Sequence, residues 1–433
     1  MKQLLFTILL GCVSILQAQL QSGPMLGYAD FQEVAIWLQT DGPAEVQIEY
    51  YPKSNPTEKH YTASVTTQKI DGYTATLIAD EVKPSTAYEY KIAVKGDWLD
   101  IPYPLTFKTQ EHWQYRKDPP AFSFLAGSCV YINDSLTDRP GKPYGQSTDI
   151  FKNMSSEDAE FMLWLGDNTY YREVDWNTRS GMLYRNTQTR SEKDLQPFLA
   201  KMHHYAIWDD HDYGPDNSDL SFWNKETSKE IFSLFWANPS YGIAGVPGIS
   251  SMFTWNDIDF FLLDNRYNRS VNERKTGERS ILGKEQLKWL KNALASSQAP
   301  YKFVAMGGQF LNDAGVYESY TNYGFDKERQ DIIDFIYAEN IEGVIFIDGD
   351  RHHTELSKLS SEGKPTIWDI TVSPLTSGAH MSDEINGLRV PETYVGEQNY
   401  AQITVSGPRK NRLVAVKIKD KTGKIIWTQE LKK

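Results

Sequence analysis

Hydrophobic positions along this chain follow three different patterns. From residue 20 to 112 they alternate with polar ones in short stretches such as EVAIWLQT, AEVQIEYYP, YTATLIAD and YEYKIAV, with Gly, Pro, Asn and Asp between them. A period of two predicts strands with one buried face, and the set predicts a small β-sandwich, with a set of extra strands on one larger domain as the alternative. After a linker over 110–120 that ends in Pro119-Pro120, unbroken apolar runs alternate with helical patterns. FSFLAG, EFMLWLG, YAIW and GVIFID predict strands buried on both faces. Further strands are predicted over 253–264, 302–306 and 343–347, and helices over 148–154, 193–202, 221–236, 284–295 and 327–339. LVAVKIKD-KTGK-IIWTQEL predicts a closing β-hairpin through Gly423. This alternation predicts an α/β domain over 120–433. The third pattern is at the start. Lys2, the apolar stretch LLFTILLGCVSIL and Ala18 predict a secretory signal over 1–18 rather than a spanning helix.

Each buried run stops abruptly at polar residues with metal-ligand chemistry. FSFLAG meets Ser128 and Cys129. EFMLWLG meets Asp167, with Asn168 and Tyr170 behind it. YAIW meets Asp209, Asp210, His211 and Asp212. GVIFID meets Asp350, Arg351, His352 and His353. In an open α/β sheet, residues just past the carboxyl ends of the strands line one edge, where ligands bind. Cys, Asp and His delivered there from distant segments point to one polynuclear metal site.

Each cluster also has a plainer reading. Asp167 after Gly166 suits a turn closed by an Asx hydrogen bond. Cys129 suits a buried, inert thiol. WDDHD suits a solvated acidic loop, although three Asp and a His behind an apolar run call for cations or many hydrogen bonds to offset their burial. In DGDRHHTE, Asp350 and His352 fall on the same side of an extended segment and His353 on the other; a structural Asp350–His352 pair is the alternative.

Charge and cysteine content narrow the classes. A formal net charge of −12 argues against general nucleic-acid binding, which needs a basic face. It leaves room for a small phosphorylated substrate, because bound cations reverse the local field. Of two cysteines, Cys12 lies in the expected signal and Cys129 in the body, so no intramolecular disulfide is expected. The chain is expected to be exported, periplasmic or extracellular, with no spanning segment after the signal. Leu9-Leu10-Gly11-Cys12 also resembles a lipoprotein box, which would anchor the protein at Cys12.

Taken in order, these motifs resemble the PhoD-like alkaline phosphatase and phosphodiesterase family of the calcineurin-like metallophosphoesterases. The resemblance rests on GSC at 127–129, LGDNTY at 165–170, YR at 184–185, WDDHD at 208–212, LDNRYNR at 263–269, GGQF at 307–310 and GDRHH at 349–353. It implies an αββα sandwich. Ahead of it, over 20–112, VKPSTAYEYKI at 82–92 is similar to a fibronectin type III strand, with Tyr88 set as in a tyrosine corner. The resemblance further implies an Fe(3+) ion on Cys129, Asp167, His352 and Tyr184, with Tyr170 as the competing tyrosine. It implies a Ca(2+)-like ion on Asp167, Asp210 and Asp350; Mn, Zn or Mg are alternatives there. His211 matches the superfamily's catalytic histidine. Arg266 is a candidate phosphate clamp, with a structural pair to Asp264 as its alternative.

The expected activity is hydrolysis of small phosphomonoesters or phosphodiesters by in-line attack of metal-bound hydroxide, without a covalent enzyme intermediate. A phospholipase D-like phosphodiesterase is the nearest alternative. A non-catalytic envelope- or glycan-binding protein on the same scaffold is the alternative from another class. Loops 131–147, 240–252 and 380–400 are expected to shape the pocket.

Overall fold

A computed structural model describes residues 19–243, 245–315, 320–381 and 383–433. The expected signal over 1–18, with Cys12, lies outside the described residues. The predicted buried runs form the centres of two sheets. In one, Phe122–Gly127, Phe161–Leu165 and His203–Ile207 run parallel. In the other, Ile258–Leu262, Lys302–Met306, Val344–Asp348 and Ile367–Thr371 run parallel. Parallel strands covered on both faces need apolar side chains at every position, which is why these segments read as unbroken runs.

The two sheets face each other across an aromatic core. Phe124 and Phe161 stack with centroids 4.9 Å apart, and both meet Phe260 of the opposite sheet edge-on at 5.3 Å. Phe303 continues the stack 5.2 Å from Phe260. Offset and edge-on pairs each add about 0.5–1.5 kcal/mol beyond burial. Outside the second sheet, Lys284–Ser296 and Asp326–Ala338 bury Leu290, Leu294, Ile332 and Ile336 with Val304 and Phe346. Outside the first, Phe151 and Phe198 of Asp149–Ser155 and Leu195–Lys201 pack with Trp164. The layers are therefore αββα, as expected.

Two local expectations change. The run 253–264 is a hairpin, Ser251–Trp255 paired with Ile258–Leu262, because Asn256 adopts φ +54° at the turn. A helix at Arg179–Arg190 had no apolar signature. Its buried positions include Arg185, Asn186, Thr189 and Arg190, and Arg185 is held by Asp175 and Asp134.

The leader folds as a β-sandwich with one shared face. Glu45–Pro52 and Ala87–Val94 pair in its own sheet. Leu20–Ala29, Val34–Thr40 and Thr74–Ala79 instead extend the nine-stranded first sheet, joined where Leu26 pairs with His203. Tyr88 Oη accepts the Lys83 N–H at 2.7 Å, the backbone contact of a tyrosine corner.

Candidate metal centre

All the predicted clusters emerge at one edge of the facing sheets, because the strands that carry them are parallel within each sheet. The chain leaves those strands sharply. Cys129, Asp167, Asp350 and His352 have φ of +63°, +52°, +66° and +53°. Left-handed backbone at a non-glycine residue costs on the order of 1–3 kcal/mol and persists only where the surroundings enforce it. Here they do: Cys129 N–H donates to Gly166 O, Val130 N–H to Asp167 O at 2.7 Å, and Ser377 N–H to Cys129 O at 3.0 Å. Gly349 allows the two sheets to meet at this edge, since a Cβ there would lie 2.5 Å from Ser128 Cβ and 2.8 Å from Leu165 O.

The side chains converge. Ligand atoms of Cys129, Asp167 and His352 lie within 4.8 Å of one another, as do those of Asp167, Asp210 and His211, and those of Asp209, Asp210 and Asp350. Asp167 belongs to the first two groups and Asp210 to the last two, so the three form one chain of ligands. The His352 ring is oriented from behind: Gly378 O lies 2.5 Å from Nδ1, which puts the proton there and leaves the Nε2 lone pair facing the cluster. Tyr170 Oη lies 3.0 Å from Asp167 Oδ2 and 3.2 Å from His352 Nε2.

The electrostatics fit cations. Burial, together with Asp210 and Cys129, pushes the Asp167 carboxyl well above its usual range. Burial pushes the Cys129 thiol up to about 12 and Asp209 up to about 6. Burial acts the same way on Asp210, but His211, Arg266 and the Asn217 N–H overcome it and hold that carboxyl low. Asp209 Oδ2 and Asp350 Oδ2 are buried without a hydrogen-bond partner. So is Asp210 Oδ1, 3.6 Å from Arg266 Nη2. Buried anionic oxygens without donors are costly unless a cation meets them. The donor set therefore fits a sulfur- and nitrogen-bearing ion position beside an all-oxygen one.

Of the expected residues, Cys129, Asp167, Asp210, Asp350 and His352 come together, and His211 stands at the mouth. Its side chain is 24% exposed, its N–H donates to Asp167 Oδ1, and its ring lies 4.2 Å from that of Tyr170. Two expectations are corrected. Tyr184 is not brought to the cluster: it sits on Arg179–Arg190, 44% exposed, and donates to Asp134 Oδ2 at 2.9 Å. Tyr170, buried at the turn after Phe161–Leu165, is the tyrosine whose hydroxyl reaches Asp167 and His352. Arg266 does not face the pocket either. It is buried against Asp209, with its Nη2 3.6 Å from Asp210, while its backbone N–H donates to Asp264 Oδ1 at 3.0 Å. The Asp350–His352 segment is a left-handed turn rather than extended, so Asp350 joins Asp209 and Asp210 while His352 joins Cys129. His353 turns away and stacks on Tyr394 at 4.9 Å.

Several site residues had no sequence signal of their own. Asp209 looked equivalent to its neighbours in WDDHD; only the fold separates it from Asp212, which caps the Asp209 N–H at 2.6 Å and the Asn168 N–H at 3.0 Å. Tyr144 and His380 line a 410 Å³ pocket with Asp167, His211, Asp350 and His352. Both lie in loops expected to shape it.

Residues 249–422 match the family of PhoD-like phosphatases, and residues 17–110 match a domain of unknown function, DUF7800. Alkaline phosphatase D of Bacillus subtilis (strain 168) is 25% identical over 358 residues, 71% of this chain; the match spans 58% of that protein's length. A solved structure of PhoD superposes with a TM-score of 0.76 at 17% identity, covering 95% of this chain and 92% of that one. The purple acid phosphatase PPD1 from yellow lupin (Lupinus luteus) seeds superposes with a TM-score of 0.68 at 13% identity, covering 94% and 74%. The segment 249–422 thus matches the PhoD-like phosphatases, and the chain as a whole shares its αββα fold with PhoD.

Proposed function

We propose that this chain is an exported, metal-dependent phosphate-ester hydrolase acting on small phosphomonoesters, phosphodiesters or both. The observation that carries this reading is the sharing of Asp167 and Asp210 between adjacent ligand groups. It joins thiol, imidazole and carboxylates into one site that suits a pair of ions. Cys129, Asp167, Tyr170 and His352 would hold the first; anionic sulfur and phenolate donors favour trivalent iron. Asp167, Asp209, Asp210 and Asp350 would hold the second; their oxygens favour calcium, with manganese, zinc or magnesium as alternatives. Bound there, the ions would acidify a water and draw charge from the phosphoryl oxygens.

The chain's own residues do the rest. His211 Nε2, at the pocket mouth, hands a proton to the leaving oxygen, a contribution of about 10²–10⁴-fold. Its backbone N–H on Asp167 and its ring against Tyr170 fix where that nitrogen stands. Arg266 holds Asp209 and Asp210 in position from the protein side. Tyr144 and His380 form the wall against which the alcohol portion of the ester rests. Residues 20–112 form a leader module ahead of 120–433 that shares the first sheet with it, a boundary supported by the match at 17–110. Export rests on the signal-like start of the chain. Among the described residues no helix is long and apolar enough to cross a membrane.

The test is hydrolysis of p-nitrophenyl phosphate and its bis-ester by natively expressed protein, before and after chelation. Activity that disappears with the metals and returns on adding iron and calcium supports the proposal. Hydrolysis untouched by complete metal removal contradicts it. The ratio of the two rates separates a monoesterase from a phospholipase D-like diesterase.

A further inference from the structure

Behind the ligands, two serines lie against the Cys129 sulfur, and their hydroxyl protons go to different acceptors. Ser128 Oγ is 3.4 Å from Cys129 Sγ but 2.8 Å from Val372 O. A hydroxyl has one proton, and the nearer carbonyl is the stronger acceptor. Ser373 Oγ is 3.1 Å from the sulfur and accepts the His352 N–H at 3.0 Å. Its remaining polar contact is therefore the donation to Sγ. Ser373 is fully buried, and its backbone is pinned on both sides. Its N–H donates to Thr354 Oγ1 at 3.0 Å, and its carbonyl accepts from Asn399 Nδ2 at 2.9 Å.

We infer that Ser373 is a positioning residue for the metal centre: its hydroxyl ties the Cys129 sulfur to the His352 backbone and sets how strongly that sulfur donates to a bound ion. One short bridge thus joins two ligands that are far apart in the chain and both held in left-handed backbone. A hydrogen bond to a thiolate withdraws electron density from sulfur. Partners of this kind behind a ligand typically change metal affinity by about 10–100-fold. The inference rests on the proposed metal site, and its test separates the two.

The experiment titrates the chelated full-length protein with cobalt(II) and follows the near-ultraviolet thiolate-to-cobalt charge-transfer band. Wild-type protein develops the band. Ser373→Ala moves it to longer wavelength and weakens cobalt binding by about 10–100-fold. Ser373→Thr, which keeps the hydroxyl, restores the wild-type position. Ser128→Ala leaves the band where it was, because its proton belongs to Val372. An unmoved band in Ser373→Ala, or an equal shift in Ser128→Ala, overturns the inference while the metal site stands. No thiolate band in the wild type overturns both. A second measurement does not depend on any variant folding. The cobalt–sulfur stretching frequency of the wild type shifts on exchange into D₂O, as the Ser373 O–H becomes O–D; an unchanged frequency overturns the inference.

Discussion

His204 is fully buried on His203–Ile207, the strand that delivers Asp209 and Asp210. The Trp164 indole N–H donates to its Nδ1 at 2.9 Å, and its Nε2 lies 3.2 Å from Phe198 O. A ring that accepts at one nitrogen and donates at the other must be neutral. Burial accordingly lowers its pKa from 6.5 to about 3. The unfolded chain takes up this proton near pH 6.5 and the folded chain does not. The stability that His204 contributes is thus complete above that pH and is lost as the pH falls toward 3. At about 1.4 kcal/mol per pH unit, the loss between about pH 7.5 and pH 5 is roughly 2 kcal/mol. Glutamine at this position can accept from the indole and donate to the carbonyl but does not titrate. Urea unfolding of wild type and His204→Gln, in chelator and across this range, should therefore give curves that converge by roughly 2 kcal/mol as the pH falls. Parallel curves would show that His204 is not held neutral by this pair of partners.

Arg266→Met should destabilise the fold by about 3–5 kcal/mol, because Asp209 is left buried without its partner; Arg266→Met with Asp209→Asn should recover much of that in urea unfolding, and simple additivity would deny the coupling. Tyr170→Phe should lower metal affinity by about 10–100-fold, read by competition with a chromophoric chelator, whereas Tyr184→Phe should leave it unchanged; the reverse result would restore Tyr184 as the ligand. Asp167→Ala should lose more activity than His211→Ala, since the latter removes about 10²–10⁴-fold from an otherwise intact centre; equal residual rates at full metal content would count against these roles. Gly349→Ala should cost about 1–3 kcal/mol by overpacking Ser128 and Leu165, and thermal unfolding at the wild-type midpoint would show that the edge gives way more easily than the contacts imply.

The layers and most of the converging residues could be read from the chain because parallel strands buried on both faces leave unbroken apolar runs, and each run stops where the polar cluster begins. Cys129, Asp167, Asp210, Asp350 and His352 were visible for that reason. Tyr184 was misplaced because Arg179–Arg190 is buried through ion pairs. With Arg185 on Asp134 and Asp175, the helix carries no apolar stripe to reveal where its tyrosine points. Arg266 was read as a clamp because its partner, Asp209, lies on a distant segment and meets it only in the folded chain. The hairpin in 253–264 was hidden because both strands are apolar and only Asn256-Asp257 interrupt them. The shared sheet of the leader depends on the pairing of Leu26 with His203, a long-range contact with no local signature.

As proposed, Cys129, Asp167, Tyr170 and His352 hold one ion and Asp167, Asp209, Asp210 and Asp350 a second beside it. Anomalous diffraction from crystals of natively expressed protein tests it directly. Two peaks should appear, one against Cys129 Sγ and His352 Nε2 and one among Asp209, Asp210 and Asp350, each touching Asp167. Fully loaded protein with no anomalous peak at this sheet edge, or with metal bound only elsewhere, would contradict the account.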